Sequence, residues 1–63
     1  MEQYIRDWSA LTNEQQEMAI SSYKSIRSVE EGVPCDVNRA RDMAPFCRGY
    51  WINEHDGYVI CNI

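Results

Sequence analysis

Along residues 13–31 the apolar side chains Ala19, Ile20, Tyr23 and Ile26 recur at i, i+1, i+4 and i+7 and form a single stripe. Both ends of this stretch carry stop and start chemistry. Thr12-Asn13-Glu14-Gln15 fits a capping box, a hydroxyl followed three residues later by Gln. Glu14 and Glu17 lie where the helix dipole favours carboxylates, and Lys24 and Arg27 lie toward the opposite end. Gly32, followed by Val33-Pro34, supplies a left-handed glycine stop and a proline that cannot continue the helix. The pattern predicts a long helix over 13–31.

Three further segments flank it. Tyr4, Ile5 and Trp8 stand at i, i+1 and i+4, which predicts a short amino-terminal helix over 2–8, interrupted at Ser9-Ala10-Leu11. Asp36 is a good N-cap for a second helix whose Val37, Ala40 and Ala44 share one face and which Pro45 ends. After Arg48 the period changes to that of strands. Residues 48–53 and 58–63 are rich in aromatic and β-branched side chains, and Asp56-Gly57 between them marks a hairpin turn. Two-residue and four-residue loops centred there both put Tyr50 and Ile52 on the same face as Val59, Cys61 and Ile63, which is the apolar, core-facing side. Trp51, Asn53, Tyr58, Ile60 and Asn62 then occupy the opposite face.

The expected fold is α+β: one small domain, residues 1–63, of two to three helices followed by a C-terminal β-hairpin. Sixty-three residues allow no second domain, and the apolar burial such a chain achieves nearly cancels the entropy of ordering it. Self-association as a homodimer would add to that narrow margin. With 44% hydrophobic and 25% charged residues the chain does not have the composition of a disordered segment. Ten acidic against six basic residues give a net charge of −4, which disfavours phosphate-driven binding to nucleic acid or to anionic membranes. The opening residues lack the cationic start and apolar core of a signal peptide, and the apolar run Tyr58-Val59-Ile60-Cys61 is far too short to span a bilayer. The expected location is the cytoplasm, the host cytoplasm if the chain is of phage origin, with no membrane association.

Candidate chemistry is sparse. Cys35, Cys47, His55 and Cys61 are the one set of residue types that suits zinc, but their gaps are long and no Cys-x-x-Cys knuckle is present. The three cysteines are read as reduced thiols, and a Cys47–Cys61 bridge would move the turn off Asp56-Gly57. His55 beside Asp56, in a hairpin turn, is a poor platform for a general base, and the single glycines 32, 49 and 57 form no phosphate loop. No catalytic residue, metal ligand or cofactor is assigned, and the chain is read as a non-enzyme.

Seven aromatic side chains exceed what so small a core surrounds, and exposed Trp and Tyr are the usual anchors of protein interfaces. Trp51, Tyr58, Ile60 and Trp8 are therefore the candidate interface, with another protein or a second copy as the partner; the alternative is that Trp8 and Trp51 close the two ends of the core. The competing reading is a small DNA-associated transcriptional or developmental regulator, a helix with a hairpin wing, in which Arg39, Arg41 and Arg48 contact nucleic acid. In size, acidity and the opening Met1-Glu2-Gln3-Tyr4-Ile5-Arg6-Asp7-Trp8, the chain resembles the small orphan early or accessory proteins of temperate lambda-like bacteriophages. That resemblance implies an accessory regulator or inhibitor that binds a host or phage protein stoichiometrically; it assigns no residue a role.

Overall fold

The computed structural model describes residues 2–63, and for Glu2 the backbone alone. In chain order the elements are β1 (Glu2–Ile5), a 3₁₀ turn (Trp8–Ala10), α1 (Asn13–Glu31), α2 (Val37–Met43), a second 3₁₀ turn (Ala44–Phe46), β2 (Gly49–Asn53) and β3 (Val59–Asn62). The strands form one antiparallel sheet in the order β1-β2-β3. The helices cover one face of it, and the fold is α+β in two layers.

α1 begins and ends as its sequence dictates. Thr12 Oγ1 accepts the Gln15 N–H at 3.2 Å while Gln15 Oε1 accepts the Thr12 N–H at 2.9 Å, which satisfies two donors that a helix leaves open. Gly32 ends the helix at φ 72°, a conformation that costs glycine nothing. Ala19, Ile20 and Tyr23 are buried, and Ile26 is half-buried. α2 is capped by Asp36, whose carboxylate accepts the Asn38 N–H at 2.9 Å. Its buried side is made by Ala40 and then Ala44, whereas Val37 stays 44% exposed and takes no part in the face that its spacing predicts.

The hairpin follows the expected parity. Tyr50 pairs with Cys61 and Ile52 with Val59, and all four are buried against the helices. The four-residue loop is closed by backbone and side chain together. The Gly57 N–H donates to the Asn53 carbonyl at 2.7 Å, and the Asn53 and Asp56 side chains accept the N–H groups of His55 and Tyr58.

The amino-terminal segment differs from the helix that its spacing predicts. Residues Glu2–Ile5 are a strand, paired Glu2↔Asn53, Gln3↔Ile52, Tyr4↔Trp51 and Ile5↔Tyr50. Three apolar residues in seven do not distinguish a period of 3.6 from a period of 2, and the long-range demand decides. A central strand offers hydrogen bonds on both sides, alternate residues facing each neighbour. Without β1 the backbone groups of Tyr50 and Ile52 would have no partner. Trp8, the third residue of the supposed helical stripe, sits in the 3₁₀ turn instead.

Two hydrogen bonds fasten α1 to β3 at short range. The buried Ser22 Oγ donates to the Val59 carbonyl at 2.6 Å, and the Cys61 thiol donates to the Ala19 carbonyl at 3.0 Å. Only small residues on the helix permit this approach; Ala19 and Ser22 are almost fully enclosed. Ser22→Ala leaves the Val59 carbonyl without its buried donor, so urea unfolding should show a loss of about 1–3 kcal/mol. A second contact is specific to the other face. The Tyr4 ring lies across Gly49 so closely that an added Cβ would overlap its hydroxyl and ring carbons. The φ of Gly49 is not positive, so alanine would be tolerated there but for Tyr4. Gly49→Ala should cost about 1–3 kcal/mol in the parent and at least ~1 kcal/mol less in a Tyr4→Ala background, as read in a double-mutant cycle. An equal cost in both backgrounds would refute the contact as its cause.

Candidate functional site

The face of the sheet turned away from the helices carries one continuous apolar row. Antiparallel register sets Tyr4, Trp51 and Ile60 side by side across β1, β2 and β3, and Tyr58 stands just before the last strand. Their exposures are 37%, 41%, 44% and 40%, so each is half covered by its neighbours and none by a helix. The Tyr4 and Trp51 rings touch at a centroid distance of 4.5 Å, tilted by 53°. Tyr4 is held in place by its hydroxyl, which donates to the Arg48 carbonyl at 3.1 Å and lies 3.5 Å from the Asn62 side-chain nitrogen. Three of the four sequence-assigned interface residues, Trp51, Tyr58 and Ile60, are thus brought together.

Trp8 is not with them. Its ring packs on Tyr50, 5.5 Å between centroids, and it closes one end of the core on the helix side of the sheet. Its place in the row is taken by Tyr4, which sequence reasoning had assigned to a helix. The signal for Tyr4 was the alternation of Tyr4 with Ile5, outward and inward, together with a glycine at position 49 able to lie beneath an aromatic ring.

The three arginines of the basic zone are exposed, and two of them are engaged by carboxylates of α1. Arg39 pairs with Glu31 at 2.7 Å, and both guanidinium nitrogens of Arg41 reach Glu17 at 3.0 and 3.3 Å. Both carboxylates belong to α1, so these pairs run from α2 to α1 and not along α2. The hydrogen bond from Arg39 holds the Glu31 carboxyl below its ordinary value. Arg48 adjoins a cleft of about 190 Å³ with Met43 and Phe46. Phe46, 80% exposed, and Val29, 83% exposed, are barer than any residue of the sheet row. They stand apart from each other, however, and isolated surface apolar residues are ordinary.

Among the described residues no three His, Cys, Asp or Glu side chains gather as a metal site. Of the zinc-like set, only Cys47 and Cys61 meet, thiol to thiol, and all three cysteines are free. The two meet without any slip of register, because Cys47 precedes β2 and the chain turns there out of the second 3₁₀ turn. Cys35 is buried elsewhere, and its thiol lies 3.6 Å from the Asp36 carbonyl. His55 is exposed on the hairpin turn, and Asp56 beside it is engaged with the Tyr58 N–H. A broad depression of about 680 Å³ lies between the first turns of α1 and Gly57, lined by Glu14, Glu17, Met18 and Asp56; it holds neither a thiol nor an imidazole. No helix among the described residues is long and apolar enough to cross a membrane. Comparison with protein-family models, curated proteins and solved structures finds no match to this chain.

The buried proton donors set an alkaline limit to stability. Burial pushes the Cys61 thiol up to about 12, and the adjoining Cys47 adds to the effect. Burial likewise pushes the Tyr50 hydroxyl, which donates to the Ala44 carbonyl, up to about 12. Both groups stay protonated in the fold while the unfolded chain releases their protons at ordinary thiol and phenol values. Their stabilising effect is therefore complete below about pH 9 and declines as the pH rises toward about 12. Denaturation measured at steps across that window should show the decline, and Cys61→Ala should make it shallower. A slope unchanged by that substitution would exclude Cys61 as a source.

Proposed function

We propose that this chain is a small acidic interaction protein that acts by stoichiometric binding to another protein, as an accessory regulator or inhibitor in the cytoplasm. The carrying observation is the row Tyr4–Trp51–Ile60, extended by Tyr58, on a sheet face that no helix covers. Contiguous aromatic and aliphatic surface on rigid strands supplies contact area at low entropic cost, and aromatic anchors dominate interface energetics. This is also the mode of action that the resemblance to small temperate-phage accessory proteins implies, with a host or phage protein as the partner. The reading calls on no catalytic group, metal or cofactor.

The distribution of charge favours protein over nucleic acid. Two of the three arginines that DNA contact would use, Arg39 and Arg41, already hold carboxylates of α1. Releasing them to phosphate would strip α2 of its ion pairs to α1, in a chain whose net charge of −4 opposes the approach of DNA.

Trp51→Ala separates an interface role from a core role. On the exposed face the substitution removes contacts with Tyr4 but opens no buried cavity, so circular dichroism should show a folded protein. Capture of partners from the native host, read by mass spectrometry, should lose the specific partner, with affinity falling by about 2 kcal/mol or more. An unfolded variant, or a folded one that still retains its partner, would refute the assignment.

A further inference from the structure

We infer that the occupant of the uncovered sheet face is a second copy of this chain, packed sheet against sheet about a twofold axis close to Trp51. The inference rests on the reading of this face as an interface and names what covers it.

Charge is the first argument. Of the thirteen strand residues only Glu2 is charged, and the other nine acidic residues lie on helices, turns and connections. A body of net charge −4 repels its own copy wherever acidic surfaces meet. Glu2 holds an outward register position at the end of β1, opposite Asn53, and the other outward residues Tyr4, Trp51, Asn53, Tyr58, Ile60 and Asn62 are uncharged at neutral pH, so two copies meeting about Trp51 bring few carboxylates together. A strongly basic partner would find little complementary charge on this face beyond Glu2, and a strongly acidic one none.

Geometry is the second. Two sheets pack about 10 Å apart with their strands nearly aligned, and their facing side chains interdigitate. Trp51 is the middle residue of the middle strand, flanked by Tyr4 and Ile60 in register. A twofold axis at that point is isologous: each Trp51 enters the partner's row of Tyr4, Trp51 and Ile60.

Area sets the strength. Three strands of four or five residues present a patch of roughly 14 by 15 Å, about 200 Å² in projection on each copy, so even with interdigitating side chains a pair buries less than ~1,000 Å² in all, in the range of weak, transient interfaces. The accessible surface of one copy is 4354 Å², close to the ~4,200 Å² expected of a folded monomer of this mass. The dimer is thus an association of folded monomers, micromolar or weaker, and a partner offering more area displaces the second copy.

Sedimentation velocity of the purified full chain from about 5 to about 500 µM, bracketing the affinity of so small an interface, tests this. Expected are a concentration-dependent dimer and dissociation constants raised at least ~10-fold by Trp51→Ala and by Ile60→Asn, with unchanged circular dichroism. Added salt should leave the dimer intact or strengthen it, because the long-range force it screens is repulsive. If Trp51→Ala fails to fold, Ile60→Asn on the exposed face carries the test. A monomer throughout the range overturns the second copy while leaving partner binding to the capture experiment. A dimer indifferent to both substitutions, as edge pairing along β1 would produce, or one dissolved by salt, overturns it as well.

Discussion

The distance at which α1 sits on β3 governs the rest of the fold. Ala19 and Ser22 let the helix backbone come within reach of a strand edge, and two bonds cross that gap, Ser22 to Val59 and Cys61 to Ala19. Alternation along β3 makes Val59 and Cys61 the residues whose backbone groups point away from β2. The helix therefore supplies an acceptor's partner on an edge that would otherwise be bare. Once α1 is seated on this side, Tyr50, Ile52, Val59 and Cys61 must turn toward it, and their alternates Trp51, Tyr58 and Ile60 must turn outward. The exposed aromatic row is the necessary complement of the buried one.

Features written in a few adjacent residues were legible in the sequence. The capping box at Thr12, the glycine stop at Gly32 and the hairpin turn at Asp56-Gly57 are local, and α1, β2 and β3 lie where these signals place them. β1 was not legible, because its reason for existing is the second hydrogen-bonding side of β2, some fifty residues away. The same holds for the site. Parity alone put Trp51, Tyr58 and Ile60 on one face, but Tyr4 entered that face only through the pairing of β1. The partners of Arg39 and Arg41, and the meeting of Cys47 with Cys61, depend likewise on tertiary placement that no spacing encodes.

The two faces of the domain divide its chemistry. On the helix side, carboxylates and guanidinium groups hold one another, and the ion pairs Arg39–Glu31 and Arg41–Glu17 tie a seven-residue helix to a nineteen-residue one. Exposed pairs of this kind contribute little each, yet α2 is too short to be stable by itself. On the sheet side, charge is nearly absent and contact is apolar. The molecule so divided gathers its charge on the helix side and leaves a nearly neutral sheet face.

The place of β1 in the sheet has a consequence for how the protein is made. Tyr4 bonds the Arg48 carbonyl across forty-four residues of chain, and β1 has no strand to join until Asn53 has been synthesised. At about 5–20 residues per second, α1 emerges with its apolar stripe exposed and waits a few seconds for β3 to cover it. Residues Glu2–Ile5 are thus among the last to find their positions, although they are made before the strand they pair with, and until then α1 depends on the later hairpin to cover its apolar stripe.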